Sequence, residues 1–400
     1  MSIDQQPLMD FPVRRENPLE PPSTYARLRD NEPVSKVRLP DGSTCWIVTR
    51  FDDVRTVLTD RRFSADSRKP GFPILMPHRH LMQKVRMMNR LDLPEHTAYR
   101  RLFVKPFTSG AIENMRPAIR GHVNELLADL EKQQQPANLV TNFSMPVPAR
   151  IICDMLGVPY DDQGFLQKFS QVLTNRTTKV DEVKGALDAL FDYVDRRLLE
   201  EERNPGDGLL GKLVANNAET KALTHDEMVA TVVVLLVDGY ETTSNMITLG
   251  VLMLFKYPDQ MEELRTNRKI IPSAVAEMLR YLSISDIGVA RVADEDVELG
   301  GGHIKAGDGV MTLIAAANHD DTAYPEAAKF DVTRNPRNHL TFGHGIHQCL
   351  GQHLVTIELE VVFETLIDRL PTIRPAVPFD EISFKHDAGL YGVWDLPVAW

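Results

Sequence analysis

The stretch His339–Ile367, HLTFGHGIHQCLGQHLVTIELEVVFETLI, joins a glycine-punctuated loop to a helical pattern, with a cysteine at the junction. Gly343 and Gly345 lack a Cβ and tolerate positive φ, so they let a loop pass close to a flat object. From Leu350 the apolar residues recur at helical spacing, which starts a helix directly after Cys349. The free N–H groups and the positive dipole end of that first turn aim back at the thiol, which predicts a lowered pKa and a thiolate. A thiolate held there is a nucleophile or a metal ligand. The alternative is a buried structural cysteine, since free cysteine usually behaves as a small apolar residue.

The rest of the composition narrows the class. Four hundred residues, 43% hydrophobic and 25% charged, are enough to bury a large core around a sizeable ligand. A net charge of -11 argues against non-specific nucleic-acid binding, which needs a basic field. Small molecules or proteins are the expected partners. The other two cysteines, Cys45 in STCWIV and Cys153 in RIICDML, lie in apolar contexts, and so sparse a set suits a reducing compartment. Residues 1–22 lack a basic segment followed by an apolar one and read as an extended arm, not a secretory signal. The longest apolar run, Met228–Val237, falls short of the ~20 residues that cross a bilayer. A cytoplasmic protein with no membrane partner is the expectation.

Along the chain, TYARLRD reads as a short helix, and PVSKVRLPDGSTCWIVT as a hairpin turning at Asp41-Gly42. From Ile112 the residues Met115, Ile119, Val123, Leu126, Leu127 and Leu130 recur at helical spacing. Further helices are predicted over residues 146–156, 161–173, 181–202, 224–255 and 272–281. Between Val289 and Leu313 the pattern switches to short strand-like pieces, VARVA, DVELGG and GVMTLI, separated by glycine. No repeat or linker divides the chain. One domain over residues 1–400 is expected, mainly α with a small β-rich portion.

The string Phe342-Gly343-x-Gly345-x-His347-x-Cys349-x-Gly351 resembles the haem-binding loop of the cytochrome P-450 superfamily. That resemblance implies a fold shaped like a trigonal prism, with haem b between a distal and a proximal helix. It implies Cys349 as the iron ligand, a thiolate of the kind that favours O–O cleavage, and His347 facing a haem propionate. Other elements resemble the family in order. Glu277 and Arg280, three apart and so on one helix face, match its Glu-x-x-Arg pair, and Arg334 matches the arginine completing a structural triad. LDLPEHTAYRRLFVKPFT resembles the helix crossing one haem edge, which makes His96 and Arg100 propionate contacts; Arg291 in GVARVA matches another.

The stretch LLVDGYETTSN, Leu235–Asn245, sets two acids, a glycine and paired threonines into an apolar helical run. Its likeness to the family's distal helix assigns Gly239, Glu241 and Thr242 to oxygen activation. Oxygen activation consumes protons, so an apolar pocket needs a dedicated route for them. Thr242 would hydrogen-bond oxygen or an ordered water, Glu241 would exchange protons with solvent by swinging, and Thr243 would support them. A threonine that bonds the carbonyl four residues back, together with Gly239, would bend the helix. Asp238 departs from the family pattern; it either meets a polar or cationic group of the substrate or extends a water network. Substrate walls, by the same likeness, come from the methionine-rich loop holding Met76, Met82, Val85, Met87 and Met88, from Leu173, Val234 and Asp238, and from Ile287 and Val289.

The implied activity is a haem-thiolate monooxygenase that hydroxylates or epoxidises a lipophilic small molecule, such as a secondary metabolite, terpenoid, sterol or drug-like compound. Electrons would come from a ferredoxin and an NAD(P)H-dependent reductase, docked at a basic patch of Arg100, Arg101, Lys105 and His344. The protein is expected to be a monomer. Two alternatives are a nitric oxide reductase, whose known members lack the acid that Glu241 supplies, and a non-enzymatic haem sensor.

Overall fold

The computed structural model describes residues 8–400 apart from 76–79, 83–84, 160–168, 170–171, 174, 176 and 286. The hairpin forms where Asp41-Gly42 places it. Gly42 takes φ +85°, the Asp41 carboxylate accepts from the amide and hydroxyl of Ser43 at 2.9 and 2.6 Å, and the turn closes between Leu39 and Ser43. Six strands build one sheet: β1 (Met9–Asp10), β2 (Val34–Arg38), β3 (Thr44–Val48), β4 (Phe63–Ser64), β5 (Val289–Ala293) and β6 (Gly309–Thr312). Their order is β1-β2-β3-β6-β5-β4, with β3 and β6 parallel and Trp46 opposite Val310. The N-terminal arm therefore ends as an edge strand of this sheet. Arg15 then fixes it by donating to the carbonyls of Leu282 and Ser283, both at 3.1 Å.

Seven helices position the site: α1 (Phe51–Thr59), α2 (Glu95–Val104), α3 (Pro146–Leu156), α4 (Val180–Arg203), α5 (His225–Lys256), α6 (Ile271–Leu282) and α7 (Gln352–Arg369). Their bounds lie within two residues of the helices expected over 146–156, 181–202, 224–255 and 272–281. The helix expected over 161–173 falls mostly outside the described residues. Helix α1 was not anticipated, although Phe51, Val54, Val57 and Leu58 bury one face and Asp52 and Asp53 occupy its first turn.

Helix α5 is the axle of the molecule. Its 32 residues extend about 48 Å, and it is buried on most sides from Met228 to Leu254 except where Val234 to Gly239 open toward a cavity, with Asp238 exposed. A capping box starts it: Thr224 Oγ1 accepts from the Glu227 amide at 3.3 Å, and the Glu227 carboxylate accepts from the Thr224 amide at 2.9 Å. Helices α3, α4, α6 and α7 pack against it. The main apolar core is made by these helices, and two smaller apolar clusters lie around the sheet. None of the described helices is long and apolar enough to cross a membrane.

Candidate active site

The cysteine loop is two successive tight turns, Leu340–Phe342 and Gly345–His347, closed by the Cys349 amide donating to the Phe342 carbonyl at 2.7 Å. Gly343 and Gly345 take φ +70° and +74°. At Gly345 a Cβ would also lie 2.8 Å from the Leu58 carbonyl oxygen, so the close approach that demands glycine there is to the end of α1. Gly351 caps α7, and a Cβ on it would stand 3.9 Å from Cys349 Sγ.

Beneath the loop lies a buried polar network. Glu277 and Arg280, both fully buried on α6, share two hydrogen bonds of 2.7 Å. Arg334 Nε donates to Glu277 Oε1 at 3.1 Å, and its Nη atoms donate to the carbonyls of Pro325, Glu326 and Lys329. Arg280 Nη1 donates to the Asn318 carbonyl, while the Asn318 side chain accepts from the Leu340 amide at 2.8 Å and donates to Thr341 Oγ1. The triad expected from Glu277, Arg280 and Arg334 is thus present. Through Asn318 it sets the first residues of the cysteine loop.

The Cys349 thiol is accessible to a solvent-sized sphere, yet it lies deep in the molecule. Burial raises its pKa, opposing the amides of Gly351 and Gln352, which lower it. The lowered pKa expected from the helix start is therefore corrected: depth outweighs the helix N-terminus. A thiolate at this position needs a further positive charge, such as a metal ion that it ligates.

Four basic side chains converge nearby. The rings of His96 and His347 approach to 4.5 Å between centres, and His96 and Arg291 are 3% and 5% exposed. His96 Nε2, His347 Nε2 and Arg291 Nη2 are buried without a hydrogen-bond partner among the described residues. Burial, and then the charges of Arg291, His96, Arg100 and Arg90, push His347 down to about 3. Arg291 is lowered to about 10 by burial, and Arg100 is lowered by burial as well. Buried donors that repel one another in this way call for an anionic acceptor.

On α5 the helix continues unbroken through DGYET. Thr242 Oγ1 donates to the Asp238 carbonyl at 2.7 Å, the backward bond anticipated for it. Gly239 has room for a methyl, since its nearest neighbour, Ile152 Cδ1, would lie 3.6 Å from a Cβ. The Thr243 hydroxyl is buried without a partner among the described residues. Glu241 was expected to swing to solvent. It is instead 3% exposed and paired with Lys385 Nζ at 3.0 Å. Nothing in the sequence marks Lys385, which lies 144 residues away in the C-terminal segment.

An open cavity of about 200 Å³ adjoins this part of α5. Of the expected wall residues, Met82, Leu173, Val234 and Asp238 line it, as do Met87 and Arg90. Val85, Ile287 and Val289 do not. Ile287 packs in an apolar cluster with Phe72 and Leu75, and Val289 packs against the cluster around α1. Met88 is core, and Met76 lies outside the described residues.

The cytochrome P-450 family model matches residues 31–372. The chain belongs to the cytochrome P-450 family. Among curated relatives, the 20-oxo-5-O-mycaminosyltylactone 23-monooxygenase of Streptomyces fradiae is 39% identical, over 98% of this chain and 92% of that one. Pentalenic acid synthase of Streptomyces avermitilis is 40% identical, over 98% of this chain and 97% of its own. The crystal structure of GfsF, a cytochrome P-450 of Streptomyces halstedii, superposes with a TM-score of 0.92 at 40% identity, covering 98% of this chain and all of that one.

Cytochromes P-450 bind haem b, and the residues present here fit that group. Cys349 offers the single soft ligand that the iron takes from protein. The unsatisfied donors of His96, His347 and Arg291, with Arg100 beside them, suit two propionate carboxylates. The glycine loop carries the thiol on one side, and α5 presents Thr242 as part of a helix lining the cavity on the other.

Proposed function

We propose that this cytochrome P-450, a haem-thiolate monooxygenase, places one oxygen atom on a lipophilic small molecule that also carries a polar group, and that α5 supplies the protons. The reaction balances as R–H + O2 + 2 e⁻ + 2 H⁺ → R–OH + H2O. Bound haem supplies the iron at which dioxygen is reduced and activated for transfer. Cys349 holds that iron, and His96, Arg100, Arg291 and His347 anchor the propionates. Thr242, whose hydroxyl bonds the Asp238 carbonyl while keeping its acceptor lone pairs, orders water or oxygen on the cavity side. Glu241 is the proton carrier, and Thr243 offers a further hydroxyl beside it.

The observation that carries this reading is one stretch of α5 holding Asp238, Glu241 and Thr242 beside a largely apolar cavity, with Glu241 buried and Asp238 exposed on the cavity wall. Asp238 is felt electrostatically at Cys349, and its exposed side chain lines the cavity with Ser67 and Asn89. A substrate hydroxyl or amine that meets Asp238 offsets the cost of a carboxylate next to apolar walls. Relatives named for the 23-oxygenation of a mycaminosyltylactone and for making pentalenic acid support a secondary metabolite as substrate.

The proposed electron donor is a ferredoxin served by an NAD(P)H-dependent reductase, and the protein acts as a cytoplasmic monomer. The test combines two measurements. Reduced protein under carbon monoxide should give the red-shifted band of thiolate ligation. Ligands that shift the ferric spin state should then give hydroxylated products with ferredoxin and reductase. Rapid reduction without product from any such ligand would count against oxygen transfer.

A further inference from the structure

Lys385 is 4% exposed and belongs to a C-terminal segment folded back on itself. Phe384 bridges Val393, the Lys385 amide donates to the Gly392 carbonyl at 2.8 Å, and the Trp394 amide donates to the Ser383 carbonyl at 2.8 Å. The ammonium meets three groups. It donates to Glu241 Oε1 and to Asn245 Oδ1, both at 3.0 Å, and lies 5.0 Å from the centre of the Trp394 ring. Asn245 stands one turn beyond Glu241 on α5, so one cation spans two successive turns. Gly392 keeps this socket open, because a Cβ there would come within 2.3 Å of Asn245 Oδ1. Further along the segment Ala388 bridges Asn175, two residues past the cavity-lining Leu173.

We propose that Lys385 is a positioning residue for proton delivery, which holds the Glu241 carboxyl in one place through an ion pair, on a segment whose Ala388 bridges Asn175, two residues past the cavity-lining Leu173. This rests on the reading of Glu241 as proton carrier. A carboxylate so deeply buried is costly without a partner, and Lys385 is the cation that meets it. The ammonium of Lys385 fixes where the Glu241 carboxyl sits on α5, and removing it takes a charge partner from a deeply buried acid. The same ion pair used only for stability would need neither the second acceptor on Asn245 nor the glycine that makes room for it.

The test uses ferric holoenzyme of wild type, K385M, K385R, E241Q and the E241Q/K385M double variant. Mid-infrared difference spectra of K385M against wild type should gain a protonated-carboxyl C=O band that is absent from E241Q/K385M. With ferredoxin, reductase and 7-ethoxycoumarin as probe substrate, product per NADPH should fall about tenfold in K385M. The electrons should appear as peroxide, and K385R should restore most of the loss. The double variant leaves no buried charge, so it supplies the comparison even where K385M folds poorly, and it should match E241Q. No new carboxyl band together with wild-type coupling in K385M would overturn the proposal. So would a double variant several-fold worse than E241Q, because Lys385 would then act independently of Glu241. A wild-type protein that lacks the thiolate carbonyl band or leaves the probe untouched bears on the activity reading; the infrared comparison still decides the role of Lys385.

Discussion

Thr242 and Glu277 are both polar side chains on buried helices, and they carry different loads. Thr242 donates a hydrogen bond to the Asp238 carbonyl, and its removal leaves no buried charge behind. Thr242→Ala should therefore fold and bind haem as the wild type does, while product per NADPH falls about tenfold or more and peroxide rises. Peroxide assay beside product chromatography checks this; full coupling in the variant would remove Thr242 from proton delivery. Glu277→Ala strips the acid from two arginines, one of them fully buried. Breaking such a network costs about 3–5 kcal/mol, and it loosens Asn318, which holds Leu340 and Thr341. The expected result is poor haem incorporation, read as a low ratio of carbonyl band to total protein, with unchanged turnover per haem in whatever fraction loads. A Glu277→Ala protein with full haem content would show that the triad is dispensable for the loop.

Among the elements, α4 and α5 meet through a titratable contact. His225, the first residue of α5, lies 2.8 Å from Asp195 and 2.9 Å from Glu202, both on α4. Burial works to lower its pKa, but the hydrogen bonds and charges of Glu202 and Asp195 prevail and raise it above 6.5. A histidine whose folded pKa is raised stabilises the fold fully below its unfolded pKa, and that contribution is lost as pH rises through the folded value. Thermal melts of wild type and His225→Asn should differ most near pH 6 and converge by about pH 9. A gap in melting temperature that widens with pH would contradict the assignment. The same helices show what sequence periodicity can reach. The bounds of α5 were legible because Thr224 and Glu227 form a capping box and because apolar residues fill the run behind it. Likeness to the family's distal helix picked out Glu241 and Thr242, and helical spacing puts Asp238 within a turn of both. Lys385 was not legible, since a lysine in an irregular C-terminal segment carries no periodic signal and its partner is fixed only by how that segment folds back. Ile287 and Val289 were placed on the substrate wall by likeness to the family, and only the packing around the sheet shows them among apolar neighbours away from this cavity. The Cys349 thiol went astray because a helix start is visible in sequence and depth is not.

Over the whole molecule, net charge and local charge point in opposite directions, and electron delivery depends on which governs the contact. The chain carries -11, which repels an acidic ferredoxin at long range. Arg101 and Lys105 are exposed at the end of α2, the helix that turns Arg100 inward toward the haem edge, and His344 lies on the cysteine loop. Arg100 itself is half-buried and feels the charge of Cys349, so it offers the proposed docking patch less than the exposed pair does. Val104 and Ile346, 43% and 42% exposed, are two of the few large apolar side chains left open among the described residues. A basic patch with apolar centres suits a small acidic partner. At physiological salt the Debye length is about 8 Å, so charges across a contact are felt while the distant excess of acids is screened. The rate of reduction by a plant- or bacterial-type ferredoxin should thus rise on lowering salt to moderate strength. Charge reversal at Arg101 and Lys105 should slow it several-fold and flatten that salt dependence, with the carbonyl spectrum unchanged. A reduction rate that climbs steadily with added salt would mean that the global repulsion governs, and would move the docking site away from the cysteine face.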